Sequence, residues 1–107
     1  VHVVIDWLGS FKAPRSFIRS MRRQGVQVAL FRSPKKVLNW PSFNMRTHRK
    51  ILVVDGRIGW TGGAGIADSW KGRANDARHW RDSQYRVTGP VVAQLQAAFM
   101  DNWLQTR

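Results

Sequence analysis

The stretch from His48 to Asp68, HRKILVVDGRIGWTGGAGIAD, constrains the fold more tightly than any other part of the chain. Ile51 to Val54 form an uninterrupted apolar run, as expected of a central strand buried on both faces. Asp55-Gly56 supplies a tight-turn signal, and residues 57–60 (RIGW) return as a hairpin partner. Residues 61–65 (TGGAG) then form a glycine-rich turn. The strand is expected to begin at His48 and to run to Asp55. In an extended chain successive side chains alternate faces, so His48 and Lys50 project from the same side. An imidazole beside an ammonium suits attack on a phosphate, one as nucleophile or acid/base and the other as a charge clamp. Asp55 stands at an odd offset from His48 and points to the opposite face, which suits a supporting role: pairing with a basic residue or holding the turn at Gly56.

The flanks extend this hairpin into an α/β layer domain. Residues 1–7 (VHVVIDW) are apolar and β-branched and read as a buried strand. Gly9-Ser10 breaks that strand, and Pro14 suits the first turn of a helix over about residues 14–24, with Ser16 also near its start. Phe17, Ile18 and Met21 share one face of the helix, and Arg15, Arg19, Arg22 and Arg23 cover the others, either as a solvated face or as ligand contacts. Gly25 is its C-terminal stop, and residues 26–31 (VQVALF) form a second strand. Residues 32–46 carry two prolines, Trp40, Phe43 and several basic groups, a loop whose aromatics either tuck onto the core or meet lipid headgroups or single-stranded nucleic acid. Residues 66–80 read as a polar loop, 84–88 (QYRVT) as a last strand, and Gly89-Pro90 as the opening of a helix to about residue 105. Leu95, Ala98, Phe99 and Trp103 make the inward stripe of that helix. The order is β-α-β-β-β-β-α with a mixed sheet flanked by helices, in one domain spanning residues 1–107.

Charge narrows the partners. Eighteen basic residues against six acidic ones give a formal net charge of +12, a field that draws polyanions: an anionic membrane surface or nucleic acid. No apolar run approaches the roughly 20 residues that span a bilayer. The absence of cysteine excludes disulfides and thiolate metal sites and leaves the redox compartment open. The chain opens on Val1 inside a strand with no leader before it, as an excised or partial domain would.

The H-x-K-x-x-x-x-D spacing of His48, Lys50 and Asp55, continued by Gly62-Gly63, resembles the HKD motif of the phospholipase D superfamily. The approach NMRTHRK, the tail GGAGIAD and residues 80–103 (WRDSQYRVTGPVVAQLQAAFMDNW) narrow the resemblance to the bacterial cardiolipin synthase branch, over nearly the whole chain. The resemblance implies a phospholipase D-like half domain and phosphatidyl transfer through a phosphohistidine on His48, with Lys50 on the nonbridging oxygens, phosphatidylglycerol or a related phospholipid as donor, and a hydroxyl of phosphatidylglycerol as acceptor. It implies no metal or organic cofactor. It implies an acid that orients the imidazole, for which Asp82, at the mouth of the last strand, is the candidate ahead of Asp68 and Asp76; pairing with Arg81 or Arg86 is the structural alternative for Asp82. Gly62, Gly63 and Gly65 allow close backbone approach and offer N–H groups to an anion. Members of the superfamily commonly carry an asparagine where this chain has Gly65, so that side-chain donor is missing here.

Superfamily sites combine two such motifs, and this chain holds one; His2 and His79 lack a lysine partner. The expected completion is a second half, from the same parent chain or from a second copy in a homodimer. The implied location is the bacterial inner membrane, peripheral or through segments absent from this chain. The competing expectations are a dimeric single-motif nuclease acting on nucleic acid, and a catalytically degenerate half that binds anionic lipid or nucleic acid.

Overall fold

A computed structural model of the chain describes residues 1–31 and 47–107; the expected loop of basic and aromatic residues at 32–46 lies outside the described residues. The element order is the expected one: β1 (His2–Asp6), α1 (Arg15–Arg23), β2 (Gln27–Phe31), β3 (Ile51–Val54), β4 (Ile58–Gly62), a short 3₁₀ turn at Asp68–Trp70, β5 (Gln84–Thr88) and α2 (Val91–Leu104). The class is α/β. The parallel and antiparallel pairings expected of a mixed sheet are both present, in separate sheets: β1 with β2 parallel, and β3-β4-β5 antiparallel. The chain divides into two compact units, one of residues 1–48 and 100–107, the other of residues 49–99.

In the first unit β1 and β2 pair in register from His2 opposite Gln27 to Asp6 opposite Phe31, with α1 as the crossover. Pro14 takes the position just before α1, where its missing N–H costs nothing. The helix ends in a Schellman arrangement: the Val26 N–H donates to the Met21 carbonyl and the Gly25 N–H to that of Arg22. Gly25 has φ +82, which an L side chain resists, so glycine is the residue that permits this stop. Ile18 and Met21 are half-buried as expected, whereas Phe17 is 59% exposed. On a nine-residue helix over a two-stranded sheet the covered stripe is narrow, and Phe17 falls outside it. Phe31 and Trp103 are the buried apolar side chains here, and the His2 ring meets Trp103 edge-on at 4.9 Å.

The second unit is a meander. Asp55 and Gly56 both take left-handed backbone angles, φ +53 and +63, and the Arg57 N–H donates to the Val54 carbonyl, so residues 54–57 form the tight reversal that the Asp-Gly pair announces. Two expectations about β3 are corrected. Among the described residues it is an edge strand of its sheet, and Leu52 and Val54 are 56% and 40% exposed. A continuous apolar run identifies a strand, but a second buried face needs a layer to cover it, and among the described residues none shields these two side chains. The strand also starts at Ile51, after His48 and Lys50. Its register with β4 (Ile51 opposite Thr61) would set Lys50 against Gly62, the last residue of β4, and the ladder ends there because the chain turns away through its glycines.

Helix α2 buries Val92 completely, together with Asn102 and Trp103, and half-buries Leu95, Ala98 and Phe99. The expected stripe is present. Gly59 on β4 is what lets Leu95 lie down on the sheet: a Cβ there would stand 2.7 Å from Leu95 Cδ1 and 3.1 Å from Val87 Cγ2. Gly59→Ala is therefore expected to lower stability by about 1–3 kcal/mol through overpacking, read as a lower urea midpoint at unchanged slope.

Candidate active site

The candidate residues fall in both units, His48 in the first and Lys50, the glycines and Asp82 in the second. In the first unit His48 is exposed, and the residue before it is pinned from two directions. The Thr47 N–H donates to Asp6 Oδ2 at 3.0 Å, and Asn102 Nδ2 donates to Thr47 Oγ1 at 3.3 Å. Asp6 closes β1 and its other carboxylate oxygen accepts the Gly9 N–H at 2.7 Å, so one side chain ties the end of the strand to the approach to His48. Asn102 is buried, where an amide without a partner would be costly. Sequence reasoning missed both residues, because a bond spanning 41 residues leaves no local pattern.

The second unit holds Lys50, the glycine turn and Asp82. Lys50 is half-buried, and its Cε comes within 4.0 Å of where a Gly65 Cβ would stand. The turn is stitched to the start of β5: the Gly63 N–H donates to the Ser83 carbonyl at 3.3 Å and Gln84 Nε2 to the Ala64 carbonyl at 3.0 Å. A Cβ on Gly62 would strike the Ser83 carbonyl, and one on Gly63 would strike the Asp82 carboxylate. Gly62 is thus required by the Ser83 backbone, whereas the Asp82 carboxylate over Gly63 is the end of an exposed side chain that can turn away. The Gly63 N–H is committed to that contact, which corrects the expectation that it is offered to an anion. The Gly65 N–H meets no acceptor among the described residues.

Asp82 is exposed, its Oδ1 accepts the Ser83 N–H at 2.7 Å, and among the described residues it makes no ion pair, so the expected alternative of pairing with Arg81 or Arg86 is not what holds it. Asp55 occupies the reversal at the far end of β3 from Lys50, about 16 Å along an extended strand at roughly 3.3 Å per residue, and likewise makes no ion pair among the described residues. Of the two expectations for it, the structure places it in the turn.

The weaker acid candidates are engaged elsewhere. Asp68 bonds to Lys71, whose hydrogen bond and charge hold the carboxyl below the usual range and raise the ammonium in return; both groups are exposed and the pair is screened by water. Asp76 Oδ1 meets His79 Nδ1 at 2.9 Å and accepts the Arg78 N–H at 2.8 Å, closing a local turn. Arg49 Nη1 donates to the Ala98 carbonyl at 3.3 Å. Among the described residues no three His, Asp, Glu or Cys side chains gather as a metal site, and no helix is long and apolar enough to cross a membrane.

No protein-family model and no solved structure matches the chain. Curated relatives do. A cardiolipin synthase A of Pseudomonas fluorescens is 41% identical over 103 residues, 96% of this chain and 22% of the relative. A cardiolipin synthase A of Pseudomonas putida is 38% identical over 96% of the chain and 22% of its own length. A cardiolipin synthase 1 of Bacillus anthracis is 38% identical over 104 residues, 97% of this chain and 20% of its own. The chain therefore spans about a fifth of the length of the curated relatives it matches, and the similarity runs through both units.

The contact between Gly63 and Asp82 is testable alone. Gly63→Ala is expected to cost about 1 kcal/mol in urea unfolding, the low end of overpacking, because the exposed carboxylate can turn away from the new methyl. In an Asp82→Ala background that cost should shrink by about 0.5 kcal/mol or more, the coupling of a double-mutant cycle.

Proposed function

We propose that this chain carries one half of a phosphatidyl-transfer site of the cardiolipin synthase type. What supports it is the relatives' near-complete coverage of the chain, taken with a Lys50 set against the glycine turn that Asp82 closes. In this mechanism the neutral imidazole of His48 attacks the phosphorus of phosphatidylglycerol. The phosphorus–oxygen bond to the glycerol headgroup breaks, a phosphorus–nitrogen bond forms, and the departing glycerol oxygen takes a proton from an acid. A hydroxyl of a second phosphatidylglycerol then gives up its proton and attacks the phosphohistidine, which forms diphosphatidylglycerol and frees the imidazole.

Each residue has a role in this scheme. Lys50 binds the nonbridging oxygens, whose charge grows toward the transition state. The Gly65 N–H faces the same oxygens, and Gly62 and Gly63 let the turn close. Asp82 orients the imidazole, and Asp55 supports the hairpin from its far end. Thr47, held by Asp6 and Asn102, fixes the backbone that presents His48. The proton for the leaving group comes from a second HKD half, in the same parent chain or in a second copy. The net charge of +12 suits an anionic lipid surface, and the bacterial inner membrane is the proposed location, reached peripherally or through segments outside this chain.

The same charge fits nucleic acid, so the assay carries both substrates. The whole protein that contains this chain is supplied with labelled phosphatidylglycerol and, separately, with single-stranded DNA. Diphosphatidylglycerol that falls by about 10³-fold or more in His48→Ala, as for loss of a nucleophile, is the expected result. Cleavage of DNA with no lipid product would replace phosphatidyl transfer by the single-motif nuclease. Binding of anionic vesicles or DNA without turnover of either would mark a degenerate binding half.

A further inference from the structure

The polar loop after the glycine turn holds a side chain that the scheme above does not use. Trp70 ends the 3₁₀ turn Asp68–Trp70, and its indole lies over Gly65. A Cβ on Gly65 would stand 3.2 Å from Trp70 Nε1, 3.5 Å from Trp70 Cδ1 and 4.0 Å from Lys50 Cε. The edge of the indole that carries the N–H therefore faces Gly65, at the point that the end of the Lys50 side chain also reaches. Gly65 is half-buried, and a Cβ there would force the indole to give by a few tenths of an ångström.

The ring is placed by other forces than its N–H. Trp70 packs edge-to-face on Trp80 at 5.4 Å, the Trp80 N–H donates to the Ser69 carbonyl at 2.7 Å, and the Trp70 backbone N–H to that of Ala67 at 3.0 Å. The indole N–H itself meets no acceptor among the described residues and is open to solvent, so a ligand can reach it. An indole N–H only donates, and so does an ammonium. The N–H edge of the indole and the end of the Lys50 side chain both reach the space beside Gly65, whose own N–H meets no acceptor among the described residues, and such donors are complementary to an acceptor bearing negative charge.

We infer that the Trp70 indole N–H is a donor to a nonbridging phosphate oxygen held by Lys50, in the space that Gly65 leaves open. The assignment rests on the phosphate-transfer role proposed above. It adds a substrate-binding residue from the loop, and it supplies a side-chain hydrogen bond at the position where this chain has only a glycine. A planar, rigid donor loses little freedom on binding and discriminates by direction, which favours a tetrahedral oxyanion over a diffuse charge.

The test is a titration of the 107-residue chain with inorganic phosphate at constant ionic strength, followed by the ¹H–¹⁵N signals of the indoles and of the glycine turn. The Trp70 indole signal is identified by its absence in Trp70→Phe, which keeps a ring against Trp80. The expected result is a saturable downfield shift of the Trp70 indole proton together with the Gly65 amide. Trp70→Phe should then weaken phosphate binding at Gly65 by about tenfold or more, the worth of one hydrogen bond to an anion. Gly65→Ala, which pushes the indole aside, should weaken it similarly. If Gly65 shifts and the Trp70 indole does not, the inference falls while the phosphate site stands. If neither shifts, both fall. Should Trp70→Phe fail to fold, the titration of the unaltered chain decides by itself, with the indole assigned through its backbone.

Discussion

Strand β4 and the turn that follows it work through positions that lack side chains. Gly59 lets Leu95 and Val87 close over the sheet, Gly62 lets the Ser83 carbonyl approach, and Gly63 lies directly under the Asp82 carboxylate. A methyl group at any of the three would collide with its neighbour. The close approach carries Asp82, just before β5, down onto the turn that Lys50 faces, where the Gly65 N–H and the Trp70 indole N–H meet no acceptor among the described residues. Packing and chemistry therefore share one constraint: neighbours that lie directly on a backbone with no Cβ.

The fold was largely legible before the structure, for identifiable reasons. Punctuation residues did most of the work. Pro14 and Gly25 bracket α1, Asp55-Gly56 marks the hairpin, and Gly89-Pro90 precedes α2, each through a backbone angle that the residue permits or imposes. What misled was apolar continuity. Ile51–Val54 read as a doubly buried central strand, yet pattern alone cannot report whether a covering layer exists, and Leu52 and Val54 are exposed on an edge strand. Phe17 failed in the same way: helical spacing named the face but not its width.

The candidate site was legible where its members lie close in sequence, and hidden where they do not. His48, Lys50 and the glycines fall in one short stretch. Asp6 and Asn102 reach Thr47 over 41 and 55 residues, and nothing local marks them. Trp70 sat in a stretch read as polar loop; its position over Gly65 is a fact of three dimensions. The charge balance divides along similar lines. Asp68 and Asp76 are tied to neighbours three residues away, while Asp82 and Asp55 make no ion pair among the described residues, so the acids nearest the motif are not spent on neutralising the basic surface.

The central claim is that His48 takes the phosphoryl group covalently. The direct measurement is to mix the whole protein with phosphatidylglycerol labelled at phosphorus, quench in alkali, where a phosphohistidine survives, and map the label by peptide mass spectrometry. The account predicts label on the His48 peptide, lost on brief acid treatment and absent in His48→Asn. Turnover of the lipid with label on no histidine, or on a histidine other than His48 in every trapped molecule, would contradict it.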